Sequence, residues 1–433
     1  MNRLEVFASA DSSTVPFTDL PIVCVVGLGY IGLPTAAVLA NHGYRVHGFE
    51  PNQRARDAIN QGRSHFIEPD LDELLQRVVD SGRLEAFDHA AEADAFLLCV
   101  PTPVNDDRSA DLSYVLNATK AIIPYLKRGS LVVLESTSPP GTTELIAKLV
   151  YDSTDFQPGQ LYFAHAPERV LPGSILREVI HNDRVIGGID DASTRAAVAL
   201  YRRFVKGQIF SCHCRTAETV KLVENASRDN QIAFANELSI LCDHLGINVR
   251  ELIELANRHP RVNILQPGCG VGGHCIAVDP WFLIDKAKHE FSIDLFVMRT
   301  ARQVNDAKPI WVADRVAEFA SKFKHPVIAC MGASYKPDID DLRESPALEI
   351  IHDLKRRDIG ELLVVEPNVN HIEGLSLVTR NEAIKLADIV VFLVDHSGFK
   401  LISDAELEAK VVIDPAGARY RSRYKPTIIE RSA

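Results

Sequence analysis

Short apolar runs recur along the chain, and each is followed within three residues by glycine, proline, serine or threonine. In the first half they are IVCVV, AFLLCV, SLVVL and LYFA, and from residue 326 onward they are PVIACM, ELLVV, ADIVVFLV and AKVVI. Runs of this kind are typical of strands that are buried on both faces of a parallel sheet. The pattern therefore predicts an α/β protein with strands in both halves of the chain.

Residues 216–247 show a different pattern, with no proline and a single glycine, Gly246, near the end. This composition predicts one long helix that is closed by Gly246. The expected fold class is therefore two Rossmann-like, parallel-sheet domains joined by a long central helix. We expect a flexible tail over 1–20, a first α/β domain over 21–205, a helical central domain over 206–320 and a second α/β domain over 321–433.

The first apolar run leads directly into a glycine motif with G-x-G-x-x-G spacing. A helix pattern follows it, then a second strand, YRVHGFE, which ends at Glu50, 18 residues after Gly32. This order of elements is the dinucleotide-binding fingerprint, in which the pyrophosphate lies at the helix N-terminus and the carboxylate binds the ribose. Because Glu50 repels a 2′-phosphate, NAD is expected rather than NADP, although Arg54 lies near enough to reduce that repulsion. The cofactor residues expected here are Gly27, Gly29, Tyr30, Ile31, Gly32, Glu50 and Arg54.

Three further apolar runs end in residues that suit a ligand site. Ligands of open α/β sheets gather at the carboxyl ends of the strands, which makes Pro101, Thr102 and Thr137 expected neighbours of the cofactor. Glu168 follows the LYFA run and lies at the same edge. Taken by itself, Glu168 is an ordinary surface glutamate.

The long helix and the loop after it carry further candidates. Lys221 and Asn225 are four residues apart, so their side chains share one helix face, where such residues are usually only solvated. The glycine-rich stretch PGCGVGGHCIAVDP, residues 267–280, contains Cys275 and Asp279. Two interpretations stay open at this point: a nucleophilic thiol beside a substrate, or a tight turn in which the cysteine fills a small gap.

The second half repeats one feature of the first half. FEPN, at 49–52, and VEPN, at 365–368, suggest two related halves, but the second lacks the glycine motif. We therefore expect the second half to bind something other than the dinucleotide. In SYKPDIDDLRESPALEI, residues Lys336, Arg343 and Ser345 lie near a predicted helix start, where they suit either a phosphate or a plain capping loop.

Composition and charge narrow the class of protein. The chain has 433 residues, of which 46% are apolar and 24% charged, with a formal net charge of −11, so a general nucleic-acid binder is not expected. No stretch is long and apolar enough for a membrane span, and residues 1–20 lack the pattern of a signal peptide. Eight scattered cysteines then favour free thiols in the cytoplasm. The Cys-His-Cys run at 212–214 has no second cluster to complete four ligands, so no metal is expected.

Taken together, the motifs resemble the UDP-glucose/GDP-mannose dehydrogenase family of nucleotide-sugar 6-dehydrogenases. The resemblance rests on the Rossmann half, VKLVEN in the long helix, GVGGHC and YKPD…RES, and it covers about residues 21–420. PERVLPG, HPRVNILQPG and GGHCIAVDPWF are similar to the branch that acts on UDP-N-acetylhexosamines. The resemblance implies an NAD-dependent, four-electron oxidation of C6, with UDP-N-acetyl-D-mannosamine as the first candidate and UDP-N-acetyl-D-glucosamine as the alternative.

The resemblance also implies a role for each candidate. Cys275 adds to the aldehyde, giving a thiohemiacetal and then a thioester, while Lys221 and Asn225 stabilise the oxyanion. Asp279 orients groups around the thiol, Glu168 is the base in hydrolysis and Thr137 positions the water. The residues implied in substrate binding are Gly272, Gly273, His274, Tyr335, Lys336, Arg343 and Arg261, the last from a neighbouring subunit of a homodimer.

Two other classes of function stay open. A single-step NAD-dependent hydroxyacid dehydrogenase of similar architecture needs the lysine and asparagine but no cysteine. A nucleotide-sensing protein keeps the fold without turnover. A regulatory disulfide between Cys269 and Cys275 is a further possibility, because the two cysteines lie six residues apart in one loop.

Overall fold

The computed structural model describes residues 21–171, 173–273 and 275–422. The 1–20 tail, Pro172, His274 and residues from 423 onward lie outside the described residues. The chain divides into two compact units: the N-terminal unit runs to Glu224 and includes Trp281–Ile293, and the C-terminal unit holds Asn225–Pro280 and the residues from Asp294 onward.

The N-terminal unit is built on an eight-stranded sheet in the order β3-β2-β1-β4-β5-β6-β7-β8. All neighbouring strands are parallel except β6 and β7, which pair antiparallel through Ala164 with Gly188 and His165 with Gly187. The parallel character predicted from the apolar runs is thus confirmed, with one reversed pair that the pattern does not reveal. The strands are β1 (Ile22–Val26), β2 (Arg45–Phe49), β3 (Leu84–Phe87), β4 (Ala95–Leu98), β5 (Leu131–Leu134), β6 (Tyr162–His165), β7 (Arg184–Gly188) and β8 (Ile209–His213).

Helices cover the sheet of the N-terminal unit, and two apolar clusters separate helices from strands. One cluster packs α1, α3, α6 and α7 against the sheet, and the other contains residues of α4 and α5. Asn52 and Asp190 begin two of these helices, because their side chains accept hydrogen bonds from backbone N–H groups of the first turn. The helices are α1 (Gly32–Asn41), α2 (Gln53–Asn60), α3 (Leu71–Asp80), α4 (Ser113–Ile122), α5 (Thr142–Ser153), α6 (Ile175–His181) and α7 (Asp191–Tyr201).

The predicted long helix is α8 (Cys214–Leu245), 32 residues in length. It ends where Gly246 adopts a φ of +68°, the left-handed conformation that closes helices at low cost for glycine. The boundary between the two units falls within α8. Three helices follow along the chain: α9 (Val249–Ala256), α10 (Asp279–Phe291) and α11 (Phe296–Ala320).

The C-terminal unit contains a four-stranded parallel sheet in the order β10-β9-β11-β12. Apolar side chains of α11 and α12 pack on one face, and those of α13 and α14 pack on the other. The elements are β9 (Val327–Met331), α12 (Pro346–Arg357), β10 (Glu361–Val365), α13 (Arg380–Leu386), β11 (Ile389–Phe392), α14 (Asp404–Leu407) and β12 (Val411–Ile413). The expected fold class is confirmed. Among the described residues, no helix is both long and apolar enough to cross a membrane.

Candidate active site

The glycine motif forms a tight turn between β1 and α1. Gly27 has a φ of +89°, and its N–H donates to Phe49 O at 2.8 Å. A Cβ on Gly32 would lie 1.9 Å from Gly27 O, so only glycine fits there, whereas a Cβ on Gly29 would meet nothing within 4 Å. The turn thus needs glycine at Gly27 and Gly32 for its own packing, and it leaves open space in front of Gly29, where a pyrophosphate would approach.

Glu50 lies at the carboxyl end of β2, half-buried beside this turn. Its Oε2 accepts from Leu28 N at 3.0 Å, and its Oε1 accepts from Asn52 N at 2.9 Å. Each carboxylate oxygen keeps a second lone pair, so the group remains able to accept hydrogen bonds from a ribose.

The remaining residues of the predicted cofactor site surround the turn. The ring of Tyr30 stacks on Phe66 with centroids 4.3 Å apart, and Ile31 directly precedes the first residue of α1. Arg54 is exposed at the start of α2. Arg56, which the sequence analysis did not single out, donates from its guanidinium to Glu50 O and Pro51 O.

The expected rim residues lie beyond the carboxyl ends of β4 and β5. Pro101 is exposed, and Thr102 and Thr137 are partly buried. The hydroxyl oxygen of Thr102 is buried and has no hydrogen-bond partner among the described residues. A buried hydroxyl without a partner costs free energy that a bound ligand could recover. The open Gly29, the half-exposed Glu50 and this hydroxyl fit an NAD molecule.

Glu168 is not the surface glutamate that the sequence alone suggests. It is 8% exposed, and its Oε2 forms an ion pair with Nη2 of Arg184, which is 3% exposed. Its Oε1 accepts from Arg169 N at 2.8 Å. Glu135, at the end of β5, lies beyond Arg184, with its Oε1 3.9 Å from Nη1 of that arginine. Sequence reasoning missed Arg184 and Glu135, since each is a single charged residue beside an apolar run.

In the C-terminal unit, Cys275 and Asp279 form the turn that begins α10. Asp279 N donates to Cys275 O at 2.8 Å, and the carboxylate of Asp279 accepts from Asn225 Nδ2 at 2.5 Å. Asp279 is 3% exposed, while Cys275 is partly exposed. The structure therefore links three predicted residues, Cys275 to Asp279 through the backbone and Asp279 to Asn225 through their side chains. Lys221 lies four residues before Asn225 on α8, in the N-terminal unit, and is partly exposed.

The glycines before Cys275 allow the loop to pack closely against another part of the C-terminal unit. A Cβ on Gly272 would lie 2.6 Å from Glu344 O and 2.7 Å from Tyr335 Cβ, and one on Gly273 would lie 3.0 Å from the Tyr335 ring. Gly272 therefore has no room for a side chain, and the expected role of Gly272 and Gly273 in substrate binding stays a prediction. The glycines thus bring the loop close to Tyr335, which is itself an expected substrate residue.

The other expected substrate residues have different surroundings. Arg343 forms a two-point ion pair with Asp341, with Nη2 and Oδ2 2.6 Å apart, and Lys336 is exposed. Ser345 has the capping role that was one of its two expected roles, because its hydroxyl accepts from Leu348 N at the start of α12. Arg261 is exposed after α9. His274, also expected to bind substrate, lies outside the described residues.

Cys269, the other cysteine of this loop, is buried, whereas Cys275 is partly exposed. All eight cysteines lie among the described residues and none of them is in a disulfide, so no such bond joins Cys269 and Cys275. Cys269 donates to Leu393 O at 3.3 Å, and burial raises the pKa of its thiol to about 12. His213 and Cys214 gather with Glu144, a third potential metal ligand that sequence spacing did not reveal. However, Arg215 already pairs with Glu144 at 2.6 Å, and its N–H donates to His213 Nδ1.

Fold and turn geometry define a nucleotide-binding α/β protein of the Rossmann type, and comparison with known proteins identifies its family. The UDP-glucose/GDP-mannose dehydrogenase family matches in three consecutive parts: its NAD binding domain over 22–205, its central domain over 215–307 and its UDP binding domain over 329–419. The chain belongs to this family. It is thus an NAD-dependent UDP-sugar dehydrogenase, and the expected cofactor is confirmed.

Similar proteins cover nearly the whole chain. An NDP-N-acetyl-D-galactosaminuronic acid dehydrogenase of Ralstonia nicotianae is 52% identical over 411 residues, covering 92% of this chain and 96% of the relative. A UDP-N-acetyl-D-mannosamine dehydrogenase of Campylobacter jejuni is 50% identical over 393 residues, covering 87% and 96%. The solved UDP-D-ManNAc dehydrogenase of Pyrococcus horikoshii has a TM-score of 0.84 at 38% identity, covering 94% and 97%.

Proposed function

We propose that this enzyme oxidises C6 of a UDP-N-acetylhexosamine to the carboxylate in two NAD-dependent steps, and that its substrate is UDP-N-acetyl-D-mannosamine. The observation that carries the chemistry is the turn in which Cys275 and Asp279 are held together, with the Asp279 carboxylate bonded to Asn225. A partly exposed cysteine, in one helix-starting turn with a buried aspartate that holds an amide donor, suits covalent capture of an aldehyde. The mannosamine assignment is supported by similarity to the Campylobacter jejuni and Pyrococcus horikoshii proteins.

Each candidate residue has one role in the proposed reaction. NAD, when bound, accepts one hydride in each of the two oxidations. The thiolate of Cys275 adds to the C6 aldehyde and forms a carbon–sulfur bond, and Lys221 and Asn225 donate hydrogen bonds to the oxygen that becomes negative. Asp279 fixes the amide of Asn225. In hydrolysis, Glu168 takes a proton from a water that Thr137 orients, and the carbon–sulfur bond breaks to return the thiol and give the uronate.

Two other nucleotide sugars are alternative substrates. UDP-N-acetyl-D-glucosamine is the alternative that the sequence motifs suggest, and the name of the Ralstonia nicotianae relative adds an N-acetylgalactosamine nucleotide. Purified enzyme should be incubated with NAD and each of the three UDP-sugars. We expect the largest kcat/KM with UDP-N-acetyl-D-mannosamine and two NADH per sugar. One NADH per sugar would instead support a single-step dehydrogenase, and absence of turnover with every sugar would support a nucleotide sensor.

Replacing the proposed nucleophile tests the covalent route. Cys275→Ser should slow uronate formation by roughly 100-fold or more, because a hydroxyl is a much weaker nucleophile than a thiolate at neutral pH. Cys269→Ser, in the same loop, is the matched control and should still give two NADH per sugar, since its thiol lies in the core. The thioester route would be wrong if Cys275→Ser formed uronate at the wild-type rate.

The homodimer and the role of Arg261 are a further part of the proposal. Arg261 is exposed, and a guanidinium offers a fixed set of donors to phosphate or sugar oxygens. If Arg261 serves the partner's substrate, mixed dimers of Arg261→Ala and Cys275→Ala chains should each contain one competent site. Activity should then recover toward half that of wild type per mixed dimer. No recovery after demonstrated chain exchange would mean that each subunit uses its own arginine.

A further inference from the structure

We propose that Arg184, Glu135 and Tyr201 form a positioning relay that holds the carboxylate of Glu168. The relay is made of these three residues, all in the N-terminal unit, and it deepens the proposed function because it rests on the role of Glu168 in hydrolysis. Glu135 is 2% exposed, Arg184 3% and Tyr201 0%, so the relay is a buried polar cluster inside an apolar core.

Arg184 is the centre of the relay. Its Nη2 forms the ion pair with Glu168, and its Nη1 lies 3.9 Å from Glu135 Oε1 and makes no hydrogen bond among the described residues. The guanidinium carbon lies 5.0 Å from the centre of the Tyr201 ring. The arginine is therefore held by two carboxylates and an aromatic face, and it has one direction in which to present its bond to Glu168.

Glu135 is in turn fixed by two neutral donors. The hydroxyl of Tyr201 donates to its Oε1, and the thiol of Cys99 donates to its Oε2 at 3.2 Å. Burial raises the pKa of both Tyr201 and Cys99 well above the ordinary values, so both keep the proton that they donate. Glu135 thus cannot rotate away from Arg184 without breaking both bonds.

The position of the relay argues for a role beyond folding. A buried ion pair contributes little net stability compared with apolar packing, because desolvating its charges is costly. Here the charged groups lie at the edge where the site residues gather: Glu135 is two residues before Thr137, and Glu168 follows β6. Cys99 follows β4 and touches the glycine turn, since a Cβ on Gly32 would lie 2.9 Å from the Cβ of Cys99.

The expected consequence of loosening the relay is selective. Arg184→Gln should slow hydrolysis of the Cys275 thioester about 100-fold, the cost of misplacing a reacting group by about 1 Å. Tyr201→Phe, which removes one hydroxyl at the far end of the relay, should slow hydrolysis roughly 10-fold, about the effect of one lost hydrogen bond. The Kd values for NAD and the UDP-sugar should stay within about twofold of wild type, because the relay residues are buried and are not among the groups assigned to either ligand. KM should fall together with kcat, since hydrolysis becomes the slowest step.

The experiment follows the covalent adduct. Enzyme, NAD and the fastest UDP-sugar of the panel are mixed, quenched in acid at intervals and analysed by intact-protein mass spectrometry, with NADH measured in parallel. Variants of the relay should show a burst of two NADH per site and accumulate the uronyl thioester. Tyr44→Phe is the matched control: Tyr44 is also 0% exposed, and its hydroxyl donates to Leu200 O, beside Tyr201 in the chain. It should accumulate no adduct.

Glu168→Gln separates failure of the relay from failure of the proposed function. If Glu168→Gln hydrolyses the thioester at the wild-type rate, the role of Glu168 is wrong and the relay falls with it. If Glu168→Gln accumulates the adduct but Arg184→Gln and Tyr201→Phe do not, the proposed function survives and the relay is wrong. Should Arg184→Gln fail to fold, Arg184→Lys and Tyr201→Phe decide between these outcomes in the same way.

Discussion

Glu50 and Glu366 occupy equivalent positions in the two sheets but differ in their hydrogen-bond partners. Both follow the second strand of their sheet, in FEPN and VEPN, and both accept from the backbone of the turn after the first strand. Leu28 N donates to Glu50, and Ala333 N and Ser334 N donate to Glu366. In each half, therefore, a glutamate after the second strand holds the turn that follows the first strand.

The difference is that Glu366 has an additional partner, His396. Asp338 N donates to Nδ1 of this buried histidine, so the ring donates from Nε2 to Glu366 at 3.1 Å even when it is neutral. Glu366 is 5% exposed, whereas Glu50 is half-buried and keeps capacity for a ligand. The same carboxylate is thus a structural anchor in one unit and available to a ribose in the other.

The turns at Gly27 and Gly332 also differ, in how soon a helix follows them. Gly27 and Gly332 share a positive φ and the same bond, each donating from its N–H to the last residue of the second strand at 2.8 Å. After Gly27, α1 begins within five residues. After Gly332, no helix begins until Pro346, so its turn presents no helix N-terminus to a pyrophosphate. The N-terminal turn thus combines an available carboxylate with an immediate helix N-terminus, the two features that suit a dinucleotide.

The largest effect on stability is expected at Glu366. Although burial alone would raise it, hydrogen bonds from His396 and from the amides of Ala333 and Asn368 lower the pKa of Glu366 to about 2. The stability from this carboxylate is present above about pH 4.5 and is lost as the pH falls toward 2, a loss of about 3 kcal/mol for the C-terminal unit. Glu366→Gln should remove a similar amount at pH 7 and abolish this acid dependence.

The two tryptophans allow each unit to be followed separately. Trp281 belongs to the N-terminal unit and Trp311 to the C-terminal unit, so Trp281→Phe leaves a fluorescence probe for the C-terminal unit alone. Urea unfolding in this background, from pH 7 to pH 2.5, measures the prediction. Glu361→Gln, at an exposed position on β10, is the control and should leave the acid dependence intact. Equal acid dependence in Glu366→Gln and wild type would contradict the assignment.

A smaller effect on stability, with a larger one on binding, is expected at Glu50. Glu50→Gln should cost about 1 kcal/mol of stability, since the backbone bonds to a half-buried carboxylate become weaker. Its Kd for NAD should rise about 10-fold, the equivalent of one lost bond to a charged group, and the preference for NAD over NADP should narrow. Titration calorimetry measures the Kd for NAD and the Kd for NADP. Glu366→Gln is the control variant, and its NAD affinity should stay unchanged. Unaltered NAD binding in Glu50→Gln would remove the contrast between the two carboxylates.

The sequence predicted those parts of the fold that depend on local pattern. Continuous apolar runs identified β1, β4, β5 and the strands of the second sheet, and the absence of proline identified α8. β7 and β8 were not predicted, because RVIGG contains two glycines and IFSCH is half polar. The antiparallel pairing of β6 with β7 depends on contacts between distant residues, which no local pattern encodes.

The candidate site likewise has features that local spacing predicts and features that depend on contacts between distant residues. The glycine turn and Glu50 could be predicted, because spacing along the chain determines their geometry. Burial of Glu168 and its pairing with Arg184 could not, since they depend on where β6 and β7 lie in the sheet. The packing of Gly272 against Tyr335 was also missed, because the two residues are 63 positions apart. The roles of these side chains in the reaction stay predictions.

The smallest effect on stability is expected at Gly29, the glycine that the packing of the turn does not require. Its φ is not in the left-handed region, and an added Cβ would meet nothing within 4 Å, so Gly29→Ala should change the free energy of unfolding by less than about 0.5 kcal/mol. The methyl group would nevertheless occupy the space where the pyrophosphate meets the backbone, so the Kd for NAD should rise about 10-fold or more. Unfolding and calorimetry on Gly29→Ala and Gly32→Ala measure the two properties separately. Gly32→Ala should instead lose stability, because its Cβ would collide with Gly27 O. If Gly29→Ala bound NAD as tightly as wild type, the open space in front of this turn would not be where the cofactor lies.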